Sequence, residues 1–230
     1  MKNISYKNIG LKGYQEAWDF QKELHEKVLN SRASENDSIN KNNSINFLVL
    51  CEHPHVYTLG KSGSINNLLV NNEFLKEKGA TFFNTDRGGD ITYHGPGQIV
   101  GYPIIDLNYF GIGVKEYVHK IEESIILTLK EYKISTERLE GATGVWIDSQ
   151  TKKARKICAI GVKVSRGITM HGFALNVNTD LSFFNLINPC GFTDKTVTSM
   201  EKEFCRKIDF EEVKQHYIKN FAKVFDVKVN

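Results

Sequence analysis

The stretch RGGDITYHGPGQIVGYPI, Arg87–Ile104, places a glycine-rich segment between two segments that are typical of β-strands. Glycines permit the close approach of another backbone or of a ligand, and they leave backbone N–H groups uncovered. The alternative is a bulged hairpin with glycines at its bends. The local sequence does not decide between a substrate-binding wall and such a turn. The glycines before Gln98 are Gly88, Gly89, Gly95 and Gly97.

The spacing of these glycines excludes two common phosphate-binding loops. A P-loop requires G-K-[ST] after its glycines, and this stretch has no such continuation. The dinucleotide fingerprint requires a different glycine spacing and a following helix, and no helical pattern follows Gly97. The stretch therefore predicts neither kind of nucleotide site, and we expect no cofactor.

Outside this stretch, the periodicity of apolar residues predicts three amphipathic helices. They cover YQEAWDFQKELHEKVL (14–29), VKEYVHKIEESIILTLKEY (114–132) and FEEVKQHYIKNFAKVF (210–225). Between the first helix and the next strand, residues 30–46 are rich in Asn and Ser, which predicts a mobile surface loop within one domain.

Short runs rich in β-branched and aromatic residues predict strands separated by turns. They are FLVLCEHPHVYTL (47–59), TGVWID (143–148), KICAIGVKV (156–164) and ITMHGFALNV (168–177). Strands that follow one another through short turns, with helices around them, indicate an α+β fold with a mixed, largely antiparallel sheet and flanking helices. The length of 230 residues suits a single domain over residues 1–230.

Composition and charge limit the classes of function. With 40% hydrophobic and 25% charged residues, the chain has the composition of a soluble globular protein. The net charge of +3 is too small to indicate nucleic-acid binding. No apolar run is long enough for a membrane span, and the first residues lack the apolar core of a signal peptide. We expect a cytoplasmic monomer with reduced thiols, since no two of its four cysteines have C-x-x-C spacing.

Cys190 lies in the segment NLINPCGFTDKT, between Pro189 and Gly191. The proline favours an extended residue before it, and the glycine frees the backbone after the cysteine. This pattern is typical of a sharp, exposed turn, which suits a nucleophile. The alternative is a small buried residue, since most free cysteines are buried, and the local sequence alone favours that alternative.

Lys156 is the second candidate for catalysis. Strand alternation predicts that Lys156, Cys158 and Ile160 share one face of a strand. A lysine that is drawn towards a core can act as a base, and a charged lysine can stabilise a thiolate. The alternative is that Lys156 ends the solvated basic run that starts at Lys152, and the segment alone favours this interpretation.

The segment CEHPHVYTLG also raises the possibility of a zinc site. Cys51, His53 and His55 share a face if the segment is a continuous strand, and all three residue types bind zinc. His94 and His171 are available from elsewhere. However, this spacing is unlike common zinc signatures, so we expect no metal site.

Five motifs together resemble the lipoyl(octanoyl) transferase family. RGGDITYHGPGQIVGY resembles that family's glycine-rich signature throughout, and EHPHVYTLGKSG resembles the segment that precedes it. KICAIGVKV is similar to the family's lysine-bearing strand, HGFALNVNTDL to the following segment and INPCG to its nucleophile turn. The order of the motifs is the same from about residue 47 to 192.

The resemblance implies the fold of biotin and lipoate ligases and a two-step acyl transfer. An octanoyl or lipoyl group passes from acyl carrier protein to an enzyme cysteine. It then passes to a lysine amine of a lipoyl domain in a 2-oxoacid dehydrogenase or in the glycine-cleavage H protein, as the first step of endogenous lipoylation. The transfer to an amine is downhill, so no ATP is needed, and an activated thiolate with a neighbouring base suffices.

The resemblance also implies the roles of individual residues. Cys190 is the nucleophile and acyl carrier, and Lys156 lowers the pKa of the thiol and moves protons. Small residues such as Gly161 and Gly172 are expected to keep an apolar slot open for the acyl chain. The residues implied for the acyl site are Arg87, Gly88, Gly89, Asp90, Ile91, Thr92, Tyr93, His94, Ala159, Ile160, Gly161, Gly172, Phe173 and Ala174.

Two other functions remain as alternatives. One is an ATP-dependent lipoate or biotin ligase of the same fold, which makes an acyl-adenylate and needs no cysteine. The other is a non-catalytic acyl-binding or zinc-binding module. The sequence does not predict the acyl chain length that is preferred.

Overall fold

The computed structural model describes residues 2–33, 44–188 and 196–230. The helices are α1 (Tyr14–Ala33), α2 (Asn72–Glu77), α3 (Leu107–Phe110), α4 (Val114–Glu131), α5 (Met200–Phe204) and α6 (Phe210–Phe225). The strands are β1 (Lys2–Leu11), β2 (Phe47–Glu52), β3 (Val56–Leu59), β4 (Thr81–Asn84), β5 (Thr92–His94), β6 (Gln98–Ile104), β7 (Glu137–Leu139), β8 (Ala142–Ile147), β9 (Arg155–Ser165), β10 (Ile168–Asn176), β11 (Thr196–Val197) and β12 (Val227–Val229).

Within these described ranges, the strands form two sheets. The large sheet has the order β12-β1-β2-β6-β10-β9-β8-β7, with β11 beside β9. Its pairs from β2 to β7 are antiparallel, whereas β1 pairs in parallel with β12 and β2. The small sheet has the order β4-β3-β5. The α+β class with a mixed, largely antiparallel sheet is thus confirmed.

Both faces of the large sheet are covered, and β6 shows why. Ile99 belongs to the core beneath α4 and α6, together with apolar residues of those helices. Val100, Tyr102 and Ile104 belong to a second core, which packs against α1. Because side chains alternate along a strand, one strand contributes to two cores. The site described below lies on the α1 face.

The three long helices are confirmed at α1, α4 and α6. Asp209 caps the N-terminus of α6, and its side chain accepts hydrogen bonds from two backbone N–H groups. One boundary was wrong, because α1 continues to Ala33 and includes four residues of the predicted loop 30–46. Residues 34–43 of that loop lie outside the described residues. No described helix has the length and the hydropathy to cross a bilayer.

The segment 47–59 forms two strands of different sheets, which separates the three candidate zinc ligands. Cys51 and His53 remain near each other, with 3.6 Å between Sγ and Nε2. His55 lies beyond the break and stacks on Phe183, with 4.1 Å between ring centroids. In the described part of the chain, no group of three or more His, Cys, Asp or Glu side chains could hold a metal ion.

Strand β1 was not predicted, because it has no apolar alternation. Ile4 is its one buried residue, and the others are exposed or partly exposed. The strand is held by parallel backbone pairing with β2 on one side and β12 on the other. Backbone pairing is independent of side-chain type, so the sequence pattern carries no signal for it.

Candidate active site

A cavity of about 440 Å³ lies on the α1 face of the large sheet. Its wall combines the glycine-rich loop before β5 with the facing residues of β6, β8, β9 and β10. The predicted site residues that line it are Arg87, Gly89, Asp90, Ile91, Thr92, His94, Lys156, Ala159, Ile160, Gly161, Gly172, Phe173 and Ala174. Segments that are distant in sequence are thus brought to one place.

Three of the predicted site residues are not among the lining residues. Tyr93 is fully buried behind the wall, where its hydroxyl lies 2.7 Å from Nδ1 of His55. Gly88 lies against the sheet, and its N–H donates to the carbonyl of Val162 over 2.9 Å. Cys190 lies outside the described residues.

Arg87 holds the glycine-rich loop in shape. It is 7% exposed, and one terminal nitrogen donates to the carbonyl of Thr58 at 2.7 Å and to that of Asp90 at 2.8 Å. The other donates to the carbonyl of Gly88 at 3.0 Å. A buried guanidinium needs several acceptors, and they come from the loop at Gly88 and Asp90 and from β3 at Thr58. The arginine therefore acts as an internal clamp on the loop.

Gly161 of β9 lies in this wall and makes room for the docking of the loop. A Cβ at Gly161 would lie 2.9 Å from the carbonyl oxygen of Gly88 and 3.2 Å from the Arg87 side chain. A Cβ at Gly172 would lie 2.1 Å from the carbonyl oxygen of Gly101. These glycines allow backbone to pack on backbone.

A β-bulge sets the direction of Lys156 and corrects the predicted face. Val145 of β8 pairs with Cys158, but the next residue, Trp146, pairs with Lys156, so Ile157 is an extra residue on β9. The two-residue alternation is broken there. Cys158 therefore lies in the core beneath α4 and α6, whereas Lys156 lines the cavity.

The ammonium group of Lys156 is held by β8. Its Nζ donates to the carbonyl of Thr143 at 3.1 Å and lies 4.7 Å from the centroid of the Trp146 ring. The aliphatic part of the side chain passes over Gly144, where a Cβ would lie 3.3 Å from Cε. A carbonyl acceptor and an aromatic face both suit a protonated ammonium.

A buried carboxylate on α4 supports this arrangement from the other side of β8. Glu122 accepts a hydrogen bond from the N–H of Gly144 at 3.0 Å, and its second oxygen accepts from Nε of Arg138 at 3.0 Å. Glu122 is 7% exposed. It thereby fixes the backbone next to the Thr143 carbonyl, which binds Lys156.

A chain of polar side chains runs along the sheet from His94 to β11. Nδ1 of His94 donates to Oε1 of Gln98 at 2.9 Å, and Nε2 of Gln98 donates to Oδ1 of Asn176 at 2.8 Å. Nδ2 of Asn176 then donates to the carbonyl of Thr198 at 3.0 Å. The N–H of Thr198 in turn donates to the carbonyl of Lys156 at 2.9 Å. This chain of hydrogen bonds thus links the side chain of His94 to the backbone of Lys156.

Two histidines near this chain are neutral at physiological pH. Burial lowers the pKa of His94 to about 3 and that of His53 to about 4. His53 donates from Nδ1 to the carbonyl of Lys12 at 2.6 Å, and its Nε2 accepts from the hydroxyl of Tyr102 at 2.7 Å. Both rings are fixed by hydrogen bonds and serve to orient their neighbours.

The described cysteines do not reach the cavity. Cys51 and Cys158 are fully buried, and burial raises the pKa of each thiol well above its ordinary value. Cys205 is exposed and lies on another part of the surface, after α5. By contrast, residues on both sides of the undescribed segment 189–195 line the cavity, namely Phe184, Thr196 and Val197.

Sequence reasoning missed about half of the cavity wall. Trp146 lay in a predicted strand, and Tyr14 lay on the predicted first helix, but nothing local distinguished them from core residues. His171 was considered only as a zinc ligand. The wall residues that were not predicted are Tyr14, Gln98, Val100, Tyr102, Gly141, Ala142, Thr143, Trp146, His171, Asn176, Phe184, Thr196 and Val197.

Comparison with known proteins identifies close relatives of the chain. A family model described as the lipoyl protein ligase A/B catalytic domain matches residues 13–222. A Flavobacterium psychrophilum protein named octanoyltransferase is 50% identical over 229 residues, covering 99% of both chains. A Parabacteroides distasonis protein of the same name is 50% identical over 226 residues, covering 98% of this chain and 100% of its own.

Solved structures with little sequence identity share the fold. A bipartite lipoate protein ligase from Thermoplasma acidophilum superposes with a TM-score of 0.72 at 14% identity, covering 100% of this chain and 86% of that chain. A lipoate-protein ligase A bound with ATP superposes with a TM-score of 0.69 at 12% identity, covering 100% and 88%. At such identities the likeness concerns the fold alone.

Proposed function

The chain belongs to the lipoyl protein ligase A/B catalytic-domain family, within which it catalyses octanoyl transfer for protein lipoylation, and we propose that it does so through a thioester on Cys190 and without ATP. The donor is octanoyl-acyl carrier protein. The acceptor is the lysine amine of a lipoyl domain. Support for such an acceptor comes from the structurally similar Thermoplasma acidophilum ligase, which was described together with its E2 lipoyl domain.

The proposed reaction has two balanced steps. In the first, the Cys190 thiolate attacks the thioester carbonyl, a new C–S bond forms, and the carrier thiol leaves with a proton. In the second, the acceptor amine attacks the enzyme thioester, an amide bond forms, the amine loses a proton, and the Cys190 thiolate leaves. The first step exchanges one thioester for another, and the second exchanges a thioester for a more stable amide. Neither step requires an external energy source.

The observation that carries this proposal is the position of Lys156 in the cavity. The bulge at Ile157 turns its ammonium towards the cavity, and the Thr143 carbonyl and the Trp146 ring hold it there. A fixed positive charge stabilises a nearby thiolate, and the same group can supply the proton that the carrier thiol takes up in the first step and accept the proton that the amine loses in the second. The wall also includes the small apolar residues Ala142, Ala159 and Ala174, which suit an acyl chain.

The described cysteines give further support by elimination. Cys51 and Cys158 have raised thiol pKa values in the core, and such thiols are inert. Cys205 does not line the cavity. This leaves Cys190 as the thiol for a thioester, and the described residues Phe184 and Thr196, on either side of its segment, line the cavity.

The experiment is an intact-mass measurement after incubation with octanoyl-acyl carrier protein in the absence of nucleotide. We expect the mass of one octanoyl group to be added to the unmodified protein and lost when a lipoyl domain is supplied. Cys190→Ser should show no thioester adduct. Cys205→Ser is the matched control, because Cys205 is exposed and lies away from the cavity.

Two results would contradict the proposal. An adduct that persists in Cys190→Ser and is cleaved by neutral hydroxylamine, as a thioester is and an oxygen ester is not, would exclude this cysteine as the acyl carrier. An absolute requirement for ATP, with acyl-adenylate as the intermediate, would instead indicate a ligase of the same fold.

A further inference from the structure

The floor of the cavity consists of three successive rows of residues across the sheet. In the first row, Gln98 of β6 pairs with Asn176 of β10. Lys156 continues this row on β9, because Leu175 pairs with Cys158 and the bulged Ile157 separates Cys158 from Lys156. This row is polar and contains the group to which we assign proton transfer.

The second row lies two residues away on β6 and β10 and three on β9, where the bulge adds one, and it is small and apolar. Val100 pairs with Ala174, and Ala174 pairs with Ala159. All three residues line the cavity. With two alanines and one valine, this row leaves room for a methylene chain and offers it no polar partner.

The third row closes the floor with an aromatic side chain. Tyr102 follows Val100 by two residues on β6, and Gly172 pairs with Gly161 on the neighbouring strands. The Gly161 position is covered by Arg87, whose side chain would lie 3.2 Å from a Cβ there. Tyr102 itself lines the cavity, so it is the bulky side chain of this row.

Tyr102 is not free to move aside. It is 3% exposed, and its hydroxyl donates to Nε2 of His53 at 2.7 Å. The His53 ring is fixed in turn by the carbonyl of Lys12 at 2.6 Å. Rotation of Tyr102 would break this bond and separate its buried hydroxyl from His53, which is unfavourable in a buried site.

Tyr14 of α1 completes the closure from above the sheet. Its ring stacks on His94 at 6.2 Å between centroids and contacts the edge of His53 at 5.4 Å. Tyr14 is 5% exposed and lines the cavity together with Tyr102. The cavity is therefore bounded here by two tyrosines that contact buried, neutral histidines.

We propose that Tyr102 and Tyr14 form the end wall that limits the length of the transferred acyl chain, while the row Val100, Ala174 and Ala159 sets its width. This inference rests on the proposed function, because Lys156 marks the reacting end. The first and third rows are separated by four residues of β6, or about 13 Å. An octanoyl chain fits this span, whereas a dodecanoyl chain would have to displace Tyr102.

The test compares acyl carrier proteins that are loaded with butanoyl, octanoyl or dodecanoyl groups. The readout is the rate of formation of each enzyme thioester in single-turnover mass measurements. For the wild type, we expect octanoyl to be transferred at least about tenfold faster than dodecanoyl. Tyr102→Leu should raise the dodecanoyl-to-octanoyl ratio about tenfold or more, because it removes the end wall.

A second variant acts in the opposite direction. Ala174→Leu fills the middle row, so it should lower the rate with octanoyl while the rate with butanoyl stays within a few-fold of the wild type. Tyr132→Leu is the control for the loss of a tyrosine, because Tyr132 follows α4 and is not among the cavity residues. Its chain-length ratios should equal those of the wild type.

The outcomes separate this inference from the proposed function. If the wild type forms no thioester with any chain, the proposed function fails. If it forms the octanoyl thioester but accepts dodecanoyl equally well, the end wall is wrong while the proposed function stands. Unchanged ratios in a folded Tyr102→Leu or Ala174→Leu variant would also overturn the inference. If Tyr102→Leu does not fold, the wild-type profile and Ala174→Leu still decide.

Discussion

The backbone N–H of Gly88 donates to the carbonyl of Val162 over 2.9 Å, which lays the glycine-rich loop directly on strand β9. Gly161 makes room for this docking, because a Cβ there would lie 2.9 Å from the carbonyl oxygen of Gly88. The N–H of Gly88 is therefore occupied. That of Gly97 also has a partner, Oε2 of Glu52 at 2.8 Å.

We predict that Gly161→Ala displaces the loop. Its Cβ would lie 2.9 Å from the Gly88 carbonyl oxygen, and a backbone atom cannot move aside cheaply. We expect a loss of about 1–3 kcal/mol in the free energy of unfolding and slower acylation. Urea denaturation and single-turnover mass measurements check both effects. Gly113→Ala is the control, because nothing lies within 4 Å of its Cβ position. A Gly161→Ala variant with wild-type stability and rate would refute the docking role.

Lys156→Ala should slow acylation by about a hundredfold or more, since it removes the group assigned to proton transfer and thiolate stabilisation. The fold should be retained, because the side chain of Lys156 lies in a cavity and not in the packed core. The measurement is the rate at which the octanoyl adduct forms, followed by mass spectrometry, with circular dichroism as the check on folding.

Lys156→Arg keeps the charge but cannot deprotonate near neutral pH. It should therefore retain part of the thiolate reactivity and lose the proton transfer. A normal acylation rate in Lys156→Ala would exclude the Cys190–Lys156 dyad.

Glu122→Ala should affect both stability and acylation, although Glu122 lies on α4 and does not line the cavity. It would leave the N–H of Gly144 and part of the Arg138 guanidinium without their buried acceptor. We expect a loss of about 2–4 kcal/mol in the free energy of unfolding. The N–H of Gly144 belongs to the same peptide group as the Thr143 carbonyl, so the loss of Glu122 leaves this carbonyl less firmly placed. Acylation should slow because the carbonyl then holds Lys156 less firmly. Partial rescue by Glu122→Gln is expected, since an amide oxygen can still accept from Gly144.

The matched control for Glu122 is its neighbour Glu123. It pairs with the same Arg138, but its side chain is 37% exposed and has no bond to β8. Glu123→Ala should cost less than about 1 kcal/mol and leave acylation unchanged. Equal effects of the two substitutions would show that the ion pair, and not the bond to Gly144, matters.

Stability should fall as the pH is lowered from about 6.5 towards 4. Burial lowers the pKa of His53 from 6.5 to about 4 and that of His94 to about 3, so the unfolded chain binds these protons first. A depressed folded-state pKa gives stability that is fully present above pH 6.5 and is lost as the pH falls. The slope is at most about 1.4 kcal/mol per pH unit for each histidine. Asp86, whose pKa is lowered by His171 and Lys163, adds to the loss only below its ordinary value of 3.8.

Thermal unfolding between pH 7.5 and 4.5 measures this dependence. His53→Gln should flatten it, whereas His119→Gln should not, because His119 is exposed on α4. A wild-type midpoint that stays constant from pH 6.5 to 5 would contradict the prediction.

Elements with a local signal were predicted from the sequence. The helices α1, α4 and α6 follow from apolar residues at helical spacing, because each helix needs one continuous apolar face to pack on the sheet. The glycine-rich loop and the strand of Lys156 were found for a similar reason, since their motifs are contiguous. Cys190 as nucleophile stays a prediction, because it lies outside the described residues.

The sequence by itself therefore determined the family, the main helices and strands, and most of one wall of the site. The tertiary structure alone decided the direction of Lys156, because one extra residue, Ile157, reverses the alternation on which the sequence argument relied. It also decided that Gly161 accommodates the loop, and that Tyr14 and Tyr102, which are distant in the sequence, both line the cavity. These features depend on strand pairing between distant segments. Pairing registers are set by backbone hydrogen bonds and by the packing of both sheet faces, which no local pattern records.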